Sequence, residues 1–345
     1  MDPIRAAVVG ATGTVGQRFI QLLSDHPWFE VTDLAASERS AGKTYAEATQ
    51  WAIDAPMPDG VGAMTVKDAG ADPDADVVFS AIPGGLAGPM ERDYAARGLK
   101  VFSNARDNRR ADGIPLVITE VNPEHFDMLE ERKTDGYVVT NGNCSGIVAT
   151  LPMHPLHEAF GIEAAHVVTM QALSGAGWPG VPSMQITDNL VPFIGGEEDK
   201  VETEPLHVLG RYSGNGKVTP AAFRISATCT RVPVLEGHSM ALHLKLKGSP
   251  STDDVVKTLS AYRGKTAGLG LPSAPERPVV YTDMADRPQP RRDRDAGKGM
   301  SVTVGRVRAD PLMTVKCFVS GSNTIRGAAG QSVLNAEYLI KKGLL

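Results

Sequence analysis

The stretch from Ile4 to Ala36 constrains the fold more than any other. An apolar run, Ile4 to Val9, ends in the glycine turn Gly10 to Gly16 (GATGTVG), after which Val15, Phe19, Leu22 and Leu23 recur at helical spacing. A second apolar run, Val31 to Ala36, completes a strand–helix–strand unit. Strands joined through a helix lie parallel, and parallel strands need cover on both faces. Further strand candidates at Val77–Ile82, Lys100–Ser103, Leu116–Thr119 and Tyr137–Thr140 are separated by helix-like or loop segments such as Leu86–Arg97 and Pro123–Arg132. The alternation predicts an α/β fold with a doubly wound, Rossmann-type dinucleotide-binding domain.

Beyond about residue 145 the texture changes. Leu242, Leu244 and Leu246 alternate with His243, Lys245 and Lys247, and Ser301–Arg308 and Met313–Ser320 are similarly strand-like. Strands with one wet face indicate an antiparallel or mixed sheet, hence a second, mixed α/β domain. Helical spacing returns at Gly327–Lys342, through Ala328, Val333, Leu334, Leu339 and Ile340, and this segment is expected to pack back on the first domain. The 345 residues thus divide into 1–143 plus 325–345, and 144–324. Arg287 to Lys298, with basic and acidic residues interleaved, reads as a solvated loop.

Thirty-five Lys and Arg against 40 Asp and Glu give a net charge of −5, the wrong sign for a surface built on nucleic-acid phosphates. No apolar run approaches the roughly 20 residues that span a bilayer, and no secretory pattern opens the chain, so a cytoplasmic protein with no membrane partner is expected. Cys144, Cys229 and Cys317 are too widely spaced for a disulfide framework or a paired zinc site, and no metal is expected.

Glycines at 10, 13 and 16 allow a tight turn and close approach of a pyrophosphate to a helix N-terminus. The spacing GxxGxxG differs from the commoner GxGxxG, so position after the first strand carries much of the inference. Within the turn, Gly10, Thr12, Gly13, Thr14 and Val15 are the cofactor candidates. After the second strand, where an NAD enzyme usually places an acid, the chain reads Ala35-Ala36-Ser37-Glu38-Arg39-Ser40. Ser37, Arg39 and Ser40 suit a 2′-phosphate, which favours NADP, although Glu38 turned inward would repel it. Ser80 and Pro83, after another strand, are further candidates beside the plain alternative of a strand-to-helix turn.

Cys144 follows a strand and opens a helix-like stretch, where the helix dipole and free backbone donors favour a thiolate. Cys229 and Cys317 fall inside strand-like runs, as inert buried thiols do. His238 lies in a turn-rich segment before a strand, and Gln171 ends a strand-like run ahead of Ser174-Gly175-Ala176-Gly177, whose backbone donors could reach a reacting oxygen or simply turn the chain.

Together GATGTVG, TNGNCSG (Thr140–Gly146), QALSGAGWPGVPS (Gln171–Ser183), GGEEDK (Gly195–Lys200), RVPVLEGH (Arg231–His238) and GSNTIRGAAG (Gly321–Gly330) resemble aspartate-semialdehyde dehydrogenase of the archaeal and fungal type, in order and over nearly the whole chain. The resemblance implies Cys144 as the acylated nucleophile, His238 as general acid/base and Gln171 as the group orienting the acyl chain. It implies Arg231 for the substrate α-carboxylate, Glu197 for its amino group, Arg109 with Lys200 for phosphate, and Asn143 beside the nucleophile. Arg106 and Arg110 are alternatives to Arg109. Ser174, Gly175 and Asn323 would lie near the cofactor.

The implied reaction is NADP-dependent reduction of L-aspartyl 4-phosphate to the semialdehyde, a step of lysine, threonine, methionine and diaminopimelate biosynthesis. It would be run by a homodimer or homotetramer whose second domain is catalytic and dimerising. Where the family usually has proline and threonine, this chain has Gly142 and Gly146, which loosens the nucleophile loop. Reduction of malonyl-CoA or N-acetylglutamyl phosphate, and non-catalytic NADP sensing, are the alternatives.

Overall fold

The computed structural model describes residues 2–132 and 134–345. β1 (Ile4–Val9), β2 (Phe29–Ala36), β3 (Val66–Asp68), β4 (Val77–Ser80), β5 (Lys100–Ser103) and β6 (Tyr137–Thr140) form an all-parallel sheet in the order β3-β2-β1-β4-β5-β6. That is the strand order of a Rossmann-type domain, with the ligand crevice expected at the carboxyl ends on either side of β1 and β4. The apolar runs read from sequence become strands buried on both faces: Ala6, Val8, Val77, Phe79 and Phe102 on one side and Ala7, Val9, Val78 and Val101 on the other are inaccessible.

The expected strand at Leu116–Thr119 is absent; one bridge from Leu116 to Thr140 takes its place. Asn122 explains why, since its Oδ1 accepts from the Ile118 N–H (2.9 Å) and its Nδ2 donates to the Leu116 carbonyl (2.9 Å). A side chain that takes the backbone groups of a ladder competes with the ladder itself. Pro123–Glu131 coils as a 3₁₀ helix.

The second sheet, in the order β10-β7-β11-β14-β13-β12, is mixed. Its members are β7 (Ile162–Gln171), β10 (Arg224–Arg231), β11 (His238–Leu246), β12 (Val279–Thr282), β13 (Val302–Ala309) and β14 (Val315–Gly321). A two-stranded ribbon, β8 (Arg211–Tyr212) with β9 (Val218–Thr219), stands apart. Leu242, Leu244 and Leu246 face the core while Lys245 is exposed, as their alternation requires. The helix Cys144–Phe160 is apolar nearly all round and buried along most of its length, packing on this sheet.

The C-terminal helix Gly330–Lys341 lies against the first sheet, and Val333, Leu334 and Leu339 join its core. A π-helical turn, Ile325–Ala329, precedes it. Gly327 of that turn lies so close to Cys144 that a Cβ there would sit 2.6 Å from the cysteine Cβ. Only glycine lets the turn pass under Cys144. Within Arg287–Lys298 the arginines at 291 and 292 are exposed, as expected, yet Asp293 is buried and pairs with Arg287. Among the described residues no helix is long and apolar enough to cross a membrane.

Candidate active site

Strand register assembles the site from residues far apart in the chain. Arg231, ending β10, pairs in register with Gln171, ending β7. On the other side of β7, Ser239 of β11 pairs with Met170, which brings His238 to the same end of the sheet. The helix of Cys144 enters at that end, and its Sγ lies 3.2 Å from His238 Nε2. His238 Nδ1 accepts from the Ala172 N–H (3.1 Å), so the neutral ring carries its hydrogen on Nε2, facing the sulfur. The same peptide unit's neighbour, the Ala172 carbonyl, accepts from Arg231 Nη1 (2.7 Å). One residue's backbone therefore orients both side chains.

Asn143 caps the helix of Cys144, its Oδ1 accepting from the N–H groups of Ser145 (3.0 Å) and Gly146 (3.1 Å). Its Nδ2 donates to Glu197 Oε1 (2.9 Å), as does Gln171 Nε2 (3.0 Å), and Lys200 Nζ donates to Glu197 Oε2 (3.0 Å). Burial alone would raise the Glu197 carboxyl, but Lys200, Asn143 and Gln171 outweigh it and hold the group below its usual value. Glu197 is thus a buried carboxylate. Arg231 is equally buried and has no carboxylate partner among the described residues. A buried guanidinium bonded only to a carbonyl is a receptor for an anion. Gly175 keeps this space open, since a Cβ there would lie 2.7 Å from Arg231 Nη1 and 3.0 Å from His238 Cε1.

The electrostatics correct one expectation. Burial, followed by the charge of Glu197, pushes the Cys144 thiol up to about 12, against the pull of Arg109 and Arg231. Burial pushes His238 down to about 3. The helix N-terminus is outweighed, and the resting pair is a neutral imidazole and a thiol.

Arg109 Nη1 pairs with Glu204 Oε1 (2.9 Å), its Nη2 donates to the Asn104 carbonyl (2.8 Å), and its buried Nε has no partner. Glu204 also accepts from the Asn143 backbone N–H, so one carboxylate ties the nucleophile loop to Arg109. Arg109 and Lys200 line a cavity of about 320 Å³. Glu204 and Ala172 escaped the sequence reading. Glu204 is one acid in a run of helical acids, and a backbone contact leaves no trace in a sequence.

On the dinucleotide side, Gly10 (φ +80°) faces Ala81, whose carbonyl oxygen would be 2.5 Å from an added Cβ. Gly16 packs equally tightly on Gly10 itself, and Gly13 caps the helix Thr14–Leu23 without any side-chain hydrogen bond. Thr14 Oγ1 is a buried hydroxyl with no partner. Thr12 accepts from Gln17 through its carbonyl (3.0 Å), and Val15 lines a cavity shared with Asn143 and Lys200. This free helix end and orphan hydroxyl fit a dinucleotide pyrophosphate.

Ser37, Glu38 and Arg39 are exposed after β2, with Ser40 closing the turn onto the Ser37 carbonyl (2.8 Å). Pro83 is exposed. Ser80 is different: it is inaccessible and donates its hydroxyl to buried Glu91 (2.7 Å), so its side chain serves the core beneath the crevice. Across the crevice, Asn323 bonds Ser174 (2.9 Å) and accepts from the Gly237 N–H (2.9 Å).

A Rossmann-type sheet facing a Cys–His pair on a second, mixed sheet defines a thiol-dependent dehydrogenase, and two family descriptions match it. Residues 5–129 match semialdehyde dehydrogenase, NAD binding domain, and residues 153–326 match semialdehyde dehydrogenase, dimerisation domain. Aspartate-semialdehyde dehydrogenase of Methanothermobacter thermautotrophicus is 51% identical over 344 residues, covering 97% of this chain and 99% of its own. The Schizosaccharomyces pombe enzyme is 44% identical, covering 99% of each chain. The crystal structure of the Candida albicans enzyme with NADP matches with a TM-score of 0.93 at 41% identity, covering 99% of this chain and 100% of that one. The chain belongs to the aspartate-semialdehyde dehydrogenase family.

Proposed function

We infer that the protein catalyses NADP-dependent reduction of L-aspartyl 4-phosphate to L-aspartate 4-semialdehyde with release of phosphate. The observation that carries this reading is Cys144 Sγ at 3.2 Å from His238 Nε2, beside buried Glu197 and unpaired Arg231. Arg231 takes the substrate α-carboxylate and Glu197 its ammonium group. The ammonium offsets the Glu197 charge, removing one cause of the raised thiol pKa, so substrate binding itself favours the thiolate. The sulfur then attacks the acyl carbon. The C–S bond forms, the C–O bond to phosphate breaks, and the phosphate departs with the thiol proton, as hydrogen phosphate, toward Arg109 and Lys200.

Gln171 orients the acyl group. The Nε2–H of His238 donates toward the tetrahedral oxygen and stabilises the thiolate when it is expelled. NADP, held at Gly10, Thr12, Gly13, Thr14, Val15, Ser37, Arg39, Ser40, Pro83, Ser174, Gly175 and Asn323, would supply the hydride in its reduced form. Residues 1–143 with 325–345 form its binding unit, and residues 144–324 the catalytic and dimerising unit. The protein works in the cytoplasm as a homodimer or homotetramer. The test is direct: aspartate semialdehyde, phosphate and NADP incubated with the protein should generate NADPH absorbance, and a flat trace despite measured NADP binding would favour a sensor.

Two expected outcomes bear on selectivity. Arg39→Ala should weaken NADP by roughly 1.5–3 kcal/mol, the value of a charge-assisted hydrogen bond, and leave NAD nearly unchanged in titration calorimetry. Equal wild-type affinity for the two cofactors would refute the role of Ser37 and Arg39. The second concerns Glu197, whose buried carboxylate, already held by Lys200, Asn143 and Gln171, gains a further charge-assisted contact from the ammonium group that donors lacking it forgo. Wild type should prefer aspartate semialdehyde over succinic semialdehyde by at least about a hundredfold in kcat/KM, and Glu197→Gln should shrink that ratio. An unchanged ratio would remove Glu197 from the site and reopen malonyl-CoA or N-acetylglutamyl phosphate as donors.

A further inference from the structure

Phosphate leaving the acyl carbon attacked by Cys144 carries two negative charges or more, and the charges around its cavity show which side chain can meet them. Arg109 is neutralised by Glu204 at 2.9 Å, and Lys200 by Glu197 at 3.0 Å. Arg110 pairs at the surface with Asp199 (3.4 Å). Each of these cations is already offset by a carboxylate. Arg106 differs. Its ion pair is the loosest of the four, 3.9 Å from Nε to Asp107 Oδ1, and that carboxylate also accepts from the N–H groups of Gly85 (2.8 Å) and Gly88 (3.0 Å).

Arg106 also stands where a phosphate would arrive. It lines the cavity of about 320 Å³ with Arg109 and Lys200, and the adjoining cavity of about 390 Å³ with Asn143. Its side chain is 63% exposed while that of Arg109 is 10% exposed, so Arg106 is free to swing and Arg109 is not. Gly84 leaves that arm room, because a Cβ there would lie 3.3 Å from Arg106 Nε. Arg109, with two nitrogens committed to the protein and one buried Nε free, can offer directional hydrogen bonding but little net charge.

We propose that Arg106 contacts the transferred phosphate and supplies the mobile, most loosely paired positive charge of its subsite, with Arg109 as a fixed donor held by Glu204. The ligand is the phosphate dianion of the acyl donor or, in the reverse direction, inorganic phosphate. A mobile guanidinium over a fixed one recruits the anion from solvent and closes on it, as planar forks do on phosphate oxygens. This rests on the reaction proposed above.

The experiment follows steady-state oxidation of aspartate semialdehyde at varied phosphate with wild type, Arg106→Gln, Arg106→Lys and Arg110→Gln. Arg106→Gln should raise the phosphate KM roughly ten- to hundredfold, the range set by one charge-assisted contact, with the KM for NADP and for the semialdehyde unchanged. Lysine at this position should recover most of the loss, and Arg110→Gln, which removes a cation of the same cavity already paired with Asp199, should raise the phosphate KM less than Arg106→Gln does. An unchanged phosphate KM overturns the proposal. So does a rise confined to the NADP KM, which would give Arg106 to the dinucleotide's phosphates. Calorimetric titration of inorganic phosphate into the NADP-loaded protein repeats the comparison without turnover. A wild type inactive in the assay would therefore overturn the reaction while Arg106 is judged on phosphate affinity.

Discussion

Cys144→Ala is expected to reduce turnover by at least about 10⁴-fold while leaving NADP affinity intact, because removing the atom that forms the covalent intermediate abolishes the pathway rather than weakening a contact. Cys229→Ala should stay near wild type. Cys229 and Cys317 are buried in β10 and β14, where burial pushes their thiols up to about 11 and about 12. Mass spectrometry of protein quenched during turnover should place the acyl adduct on Cys144, and an adduct on either other cysteine would reassign the nucleophile. The pH dependence has a definite sign. Since the Cys144 thiol is raised above the ordinary 9.0, its alkylation by iodoacetamide in the free protein should keep climbing as pH rises past that value. A plateau near neutrality would mean a preformed thiolate.

The second large effect is on stability. Arg326 and Glu120 are both inaccessible and form a two-pronged pair, Nη1 to Oε1 at 2.6 Å and Nη2 to Oε2 at 2.7 Å. Arg326 further bonds the Met300 carbonyl (3.2 Å) and Gln331. Arg326→Leu strands the Glu120 carboxylate in the core, at a cost of about 3–5 kcal/mol, a large share of an ordinary domain's stability. Urea unfolding should show that loss. Adding Glu120→Leu should recover much of it, because two apolar residues leave no buried charge. A double variant no better than the single one would mean that the damage comes from the π-helical turn bearing Arg326, and not from the orphaned charge.

Much of the fold was legible because its signals are local. The β1 strand, the glycine turn and the helix after it follow from apolar spacing and from the need of Gly10 for φ +80° against Ala81. The leucines at 242, 244 and 246 declared a half-wet strand by their alternation. Where local reading failed, a neighbour intervened. Leu116–Thr119 has strand-like residues, but Asn122 removes its backbone partners. Ser80 sits at the right place for a cofactor contact, but Glu91 claims its hydroxyl.

The site divides along the same line. The chain by itself determined which chemistry was on offer: one cysteine at a helix start, a histidine at a strand start, and glycines where a ligand or a nucleophile must pass. Register between β7, β10 and β11 decided that Gln171, Arg231 and His238 meet, since residues so distant in sequence are brought to one sheet end by ladder hydrogen bonds. The tertiary structure also decided protonation. A helix N-terminus favours a thiolate locally, yet the site's burial and the Glu197 charge reverse that preference, because desolvation and a nearby like charge depend on what packs around the sulfur. Pairing decided the rest: three arginines between 106 and 110 look alike in sequence, and only the positions of Glu204, Asp199 and Asp107 distinguish a fixed donor, a surface pair and a loosely held, mobile charge.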